Sequence, residues 1–208
     1  MAALPSDFTH PEIPEASLEF LKSPGLPERT TLITSFEDLR TGQLDRFPVH
    51  PLSEELGIFV IGKPAYAELV QRYVLLDSDG RVFSTMVMTG DYYSHAYCNA
   101  SIEQFAECLL LLTAQYDYVA TGKLTEWSRQ ARIGEFDYDA HGEEHSQALA
   151  EYGDMMRRRI CEIDPTCAED MGILQFWDFE IKDREMEVGV GSWVGVDLYD
   201  IDTYSYDE

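Results

Sequence analysis

The chain has 208 residues, enough for one domain to bury roughly 70% of its unfolded surface without disulfide or metal staples. Its 45% hydrophobic and 26% charged content excludes a wholly disordered polypeptide. Fifteen Lys and Arg stand against 39 Asp and Glu, a formal charge of -24, which argues against binding nucleic-acid phosphates or anionic membranes; such a surface serves solubility alone, the commoner case, or speeds encounter with a basic partner.

"MAALPSDF" carries no basic region followed by an apolar core, so no secretory signal is visible. The first thirty residues hold five of the nine prolines, at Pro5, Pro11, Pro14, Pro24 and Pro27. They predict irregular structure around one short helix, "EASLEFLK" at 15–22. "TLITSF" at 31–36 has the β-branched content of a short strand, and "ELGIFVIGK" at 55–63 reads as an edge strand broken by Gly62-Lys63-Pro64. "RYVLL" and "RVFSTMVM" then flank "DSDG", a polar turn ending in glycine, and predict a hairpin. The same four residues open like a calcium loop at Asp77 and Asp79. Arg81 and Val82 occupy the fifth and sixth positions, where a ligand and a glycine belong, so the hairpin is the better reading.

"YCNASIEQFAECLLLL" at 97–112 contains an Asn-x-Ser acceptor sequence at Asn99, yet also a capping box, Ser101 followed three residues later by Gln104. The box predicts that the Ser101 hydroxyl accepts the Gln104 amide while the Gln104 side chain reaches back to the Ser101 amide. Ile102, Phe105, Leu109, Leu112 and Tyr116 follow at three- and four-residue spacing, the buried stripe of a helix over 102–117. The longest apolar run, Leu109 to Leu112, is far too short to cross a membrane. With no export signal, the expected location is the cytoplasm. The four cysteines, Cys98, Cys108, Cys161 and Cys167, are expected there as buried, reduced thiols.

From 118 to 142 no period is clear. "EEHSQALAEYGDMMRRRICEID" predicts a helix over 143–163 that Pro165 stops. Within it, Arg157-Arg158-Arg159 fan in three directions and are expected to pair with the chain's own carboxylates. "GILQFWDFEIKDREME" at 172–187 fits a third helix, and the alternation of Val188, Val190, Val194, Val196 and Leu198 suggests a late strand with interleaved glycines. From Glu162 to Glu208 there are fourteen acidic residues and two basic ones, Lys182 and Arg184. The last stretch mixes Asp197, Asp200, Asp202, Asp207 and Glu208 with Tyr199, Tyr204 and Tyr206. It reads either as a solvated tail or as an acidic, aromatic docking segment, in which tyrosines supply contact area and carboxylates steer.

Catalytic chemistry is hard to assemble. "HGEEH" at 141–145 matches the inverted zinc-protease pattern, with His141 and His145 sharing a helix face and Glu144 nearby as a base. A third ligand is unassigned, and Gly142 suits the start of a helix, with Glu143 and Glu144 favoured in a first turn that faces solvent. "GVGSWVG" at 189–195 has one spacer too many for a dinucleotide loop and is no nucleophile elbow around Ser192. Neither an enzyme, a metal site nor a cofactor is expected.

The order of these segments resembles the SUKH superfamily of immunity proteins, most closely its fourth family. The resemblance rests on Gly62 in the first apolar strand; on Leu76, Asp77, Gly80 and Val82 in the hairpin; and on Asn99, Ser101, Ile102, Phe105, Cys108 and Leu109 at the helix start. "EIDPTCAED" followed by "FWDFEI" echoes an Asp-Pro and a Trp-bearing helix of that family. The resemblance covers roughly residues 55 to 180 and implies an α+β domain, a mixed, mostly antiparallel sheet packed with helices, expected over 1–190. The acidic C-terminal extension over 191–208 runs past the family's usual end and, like 118–142, is not matched by it. It implies binding of a cognate, basic protein toxin, a nuclease or nucleic-acid deaminase, by occlusion. Asp197, Tyr199, Asp200, Asp202, Tyr204 and Tyr206 are the candidate contacts, and Gly62, Asp77, Gly80, Asn99, Ser101 and Phe105 the structural motif. Two alternatives stand beside this reading: an intracellular adaptor of the same superfamily, and a zinc hydrolase built on "HGEEH".

Overall fold

Strands form where β-branched and aromatic residues alternate, and each alternate residue then points to the opposite face of the sheet. In the computed structural model, Phe59, Ile61, Val74, Leu76 and Val82 turn to one face and join the main core. Ile58, Val60 and Leu75 turn to the other, where Tyr73 and Phe83 pack against them. The structure describes residues 1–27, 34–42, 44–45, 58–64, 70–88, 91–120, 126–127, 130, 134–168, 176–178 and 180–181.

Chain order begins with α1 (Glu15–Lys22), β1 (Thr34–Ser35) and a 3-10 turn (Glu37–Thr41). Then follow β2 (Phe59–Pro64), β3 (Val70–Leu76), β4 (Val82–Met88) and β5 (Asp91–Asn99). Two long helices, α2 (Ile102–Ala120) and α3 (Tyr138–Ile163), are succeeded by a 3-10 turn (Pro165–Ala168) and by helical residues at 176–178 and 180–181. The sheet is a five-stranded meander in the order β1-β2-β3-β4-β5, and each pairing among the described residues is antiparallel. The α+β class expected from the sequence is therefore what the chain builds.

The hairpin forms around "DSDG" as expected. Its closing pair is Leu76 and Val82. The Asp77 carboxylate accepts the amides of Asp79 and Arg81 at 2.9 and 2.8 Å and the Arg81 Nε at 2.7 Å, so its oxygens serve the turn itself. Gly80 adopts φ +86°, a conformation open to glycine at little cost. A Cβ there would stand 3.0 Å from Ser17 Oγ, because the turn lies against α1.

Four members of the α2 stripe are buried as their spacing predicts: Ile102, Phe105, Leu109 and Leu112 are all within 1% of full burial and share one core with Val74, Leu76 and Val82, while the Tyr116 side chain lies outside the described residues. Phe105 meets the rings of Phe36 and Trp177. The N-terminal segment also belongs to that core, which its prolines did not suggest. Ala2 and Leu26 exchange backbone hydrogen bonds at 2.6 and 2.8 Å, and both are fully buried.

Several expectations need correction. Gly62-Lys63-Pro64 does not break β2: a register shift between Val60 and Gly62 absorbs the irregularity, and Lys63 and Pro64 go on to pair with Ser35 and Thr34 of β1. β5, nine residues long, was not anticipated, although Thr89-Gly90 separates two β-rich runs. α2 runs three residues past 117. α3 starts at Tyr138 rather than 143, because Asp137 caps it by accepting the Ala140 amide at 3.0 Å. Cys98 and Cys108 are buried thiols as expected, but Cys161 is only half-buried, and the Cys167 side chain lies outside the described residues. The remainder of the helix expected at 172–187, the late strand at 188–198 and the domain boundary at 190 lie outside the described residues.

Candidate functional site

The family-like motif residues fall at three places. Asp77 and Gly80 make the hairpin turn against α1, and Gly62 marks the β2 irregularity. Asn99, Ser101 and Phe105 gather where the sheet hands the chain to α2, and there they meet the far end of α3. Asp164, fully buried immediately after α3, accepts the Asn99 side-chain amide at 3.1 Å and the Ala100 backbone amide at 2.9 Å on one oxygen. Its other oxygen takes the amide and hydroxyl of Thr166. A buried carboxylate is tolerable only with such a full set of donors.

Ser101 Oγ accepts the Gln104 amide at 3.3 Å, as the capping box predicts. The second half of the box is different. The Gln104 side chain does not return to Ser101 but donates to the Ile163 carbonyl at 3.1 Å. The last carbonyls of α3 lack intrahelical donors, and this one is within reach. The two helices are thus stitched at their meeting ends. Cys161 lies beside this seam, and burial together with the Asp164 charge pushes its thiol above the ordinary range. Farther along, Trp177 Nε1 donates to the Cys98 carbonyl at 3.0 Å and locks the Trp-bearing helical segment to β5.

Among the described residues, most cations pair with the chain's own carboxylates. Lys63 meets Asp38 at 2.9 Å and Asp45 at 3.2 Å, and the Asp38 contact leads in raising its pKa against a smaller opposing effect of burial. Arg157 bridges Asp178 at 2.6 Å and Asp154 at 3.2 Å, and Arg159 meets Glu162 at 3.0 Å. Arg158 instead gives its Nε to the Asp154 carbonyl, so the arginine run pairs internally much as expected, with one member on the backbone. Arg72 binds the buried Glu180 and faces the Phe176 ring. Exposed carboxylates stand on the same scaffold: Glu103, Glu107, Glu143, Glu144 and Glu151 all face solvent.

"HGEEH" sits in the body of α3, not in its first turn, since the helix opens at Tyr138. His145 is buried rather than solvent-facing, 5.5 Å from the Trp127 ring centre and 5.7 Å from that of Phe136. His141 is exposed and stacks on Trp127 at 6.1 Å. These histidines help form an aromatic cluster that fastens α3 to residues 127 and 136. Among the described residues, no group of three or more His, Cys, Asp or Glu is placed to hold a metal ion. No helix there is long and apolar enough to cross a membrane. The candidate contacts Asp197, Tyr199, Asp200, Asp202, Tyr204 and Tyr206 lie outside the described residues.

Sequence reading missed two features. Asp164 was visible only as part of an Asp-Pro echo, and nothing local marks it as the acceptor for residues 99 and 100. Leu110 looked like one more leucine in an apolar run, yet it is 54% exposed.

No curated protein and no solved structure matches the chain. A family model described as SUKH-4 immunity protein matches residues 2–178, a span that takes in the hairpin, the stitched helix ends and the start of the Trp-bearing segment. The chain belongs to the SUKH-4 immunity protein family.

Proposed function

We propose that this chain binds a cognate protein toxin and neutralises it by occlusion, with no chemistry of its own. The toxin in this reading is a basic nuclease or nucleic-acid deaminase, and the encounter takes place in the cytoplasm. One observation carries the proposal beyond family membership: a net charge of -24 on a scaffold where the buried and half-buried cations among the described residues pair with internal carboxylates. The exposed acid excess is therefore available to a cationic surface. Toxins that act on nucleic acid carry such surfaces, because they must hold phosphates. Carboxylates would set the association rate, and buried apolar contacts the dissociation rate. Asp197, Tyr199, Asp200, Asp202, Tyr204 and Tyr206 are proposed to contribute as an acidic, aromatic docking segment.

The test is binding and inhibition with the toxin-like domain encoded in a neighbouring reading frame. Purified chain is expected to inhibit it at a one-to-one ratio. Association should slow at least about tenfold between low and high salt. Deleting 197–208 should weaken binding while leaving the fold intact. A salt-insensitive association rate would contradict steering, and an unchanged affinity after truncation would remove the tail from the interface.

A further inference from the structure

We propose that the open groove between the start of α2 and the end of α3 is a docking site for a basic protein segment that presents an apolar side chain. The inference rests on the toxin-neutralisation reading and names for it a surface made of residues other than those of the C-terminal tail.

The groove measures about 490 Å³ and is lined by Glu107, Leu110 and Leu111 from α2 and Arg159, Glu162 and Ile163 from α3. Its apolar part is Leu110, Leu111 and Ile163. Apart from Met1, Leu110 is the exposed large hydrophobic side chain among the described residues, at 54%. The leucine beside it in sequence, Leu109, is 1% exposed and belongs to the core. A lone exposed leucine is ordinary, but one lying in a groove beside two half-buried apolar neighbours makes a small anchor site.

Charge selects the occupant. Glu107 and Glu162 are exposed groove residues, and Glu103 is exposed one turn before Glu107 on α2. The groove's one cation, Arg159, is already paired with Glu162 at 3.0 Å. The rim is therefore net acidic around an apolar floor, which fits Lys or Arg flanking an apolar residue. A second copy of this chain would bring another -24 charges and is disfavoured by repulsion. The walls are also fixed in advance: Gln104 donates to the Ile163 carbonyl, and Asp164 holds the entrance of α2. A preformed groove spends little ordering entropy on binding.

The test uses the full chain with methyl-labelled Leu and Ile, titrated with the peptide acetyl-Lys-Lys-Leu-Lys-Leu-Lys-Lys-amide. The methyl signals of Leu110, Leu111 and Ile163 should shift, and a peptide with glycine in place of each leucine should bind at least about tenfold more weakly. Leu110→Lys and Glu107→Lys should each weaken the leucine peptide by a similar factor, while Leu110→Ala, at an exposed position, checks that the fold is retained. Shifts centred elsewhere, equal binding of the glycine peptide, or self-association of the chain through Leu110 would overturn the groove. The adjacent toxin domain separates the two ideas. Inhibition lost in Leu110→Lys supports the groove, and inhibition unchanged in that variant overturns it while leaving the immunity reading intact. If the wild-type chain fails to inhibit, the toxin reading falls and the peptide map still decides the groove.

Discussion

At position 80 a backbone dihedral of +86° and a neighbour 3.0 Å from any added Cβ act together. An L-residue would meet both the left-handed conformational cost and Ser17. Gly80→Ala is therefore expected to lower unfolding free energy by about 2 kcal/mol, measured by chemical denaturation. Asp164 offers a second single-residue test. Removing its carboxylate takes the acceptor from the Ala100 amide and leaves the fully buried Asn99 side-chain amide with only the weak Cys108 Sγ at 3.7 Å. Asp164→Ala should cost about 3 kcal/mol, and Asp164→Asn less, since one side-chain oxygen remains to accept. Cys161 is raised by burial first and by Asp164 second, so its thiolate forms only at higher pH than in a free peptide. Its alkylation by iodoacetamide at pH 8 should be slower than that of a free thiol, and faster in Asp164→Asn. The turn at Asp77 and Gly80 was legible because its hydrogen bonds span four residues or fewer. The partner of Gln104 was not legible, because Ile163 lies 59 residues away and no local pattern encodes such a distance.

Elements with a strong period declared themselves in the sequence. α2 did, and its stripe sorts its leucines: Leu109→Ala should cost about 3 kcal/mol by opening a cavity, whereas Leu110→Ala should stay within about 0.5 kcal/mol. Equal losses in thermal or denaturant melts would mean that the stripe is misplaced. β5 escaped notice because "DYYSHAYCN" mixes polar and aromatic residues, and its partner β4 supplies the hydrogen bonds that make it a strand. β2 was cut short for the opposite reason. Gly62 and Pro64 are local breakers, but β1 pairs with that end and overrides them. α3 opens five residues before the start expected from the sequence because "FDYDAHG" shows no clear helical period, although Asp137 followed by Asp139 carries the signature of a capped helix start.

Charge is a property of the whole molecule. With -24 formal charges, the folded state holds like charges closer together than the unfolded chain does. Raising salt from about 20 to 300 mM should therefore raise the melting temperature, since screening relieves repulsion more than it weakens a few exposed ion pairs. A fall would show that the paired cations, not the excess carboxylates, dominate. The acid excess was legible from composition alone. The groove at Leu110 was not, because exposure within an apolar run depends on where α3 ends in space. The stitch at Asp164 joins groups 65 residues apart, and Trp177 hooks onto β5 from 79 residues away. Such long-span ties should make the sheet and helix ends open as one cooperative unit, so amide hydrogens of Ala100 and Thr166 would exchange at the rate of global unfolding. A partner would then meet a stiff surface, already shaped before contact.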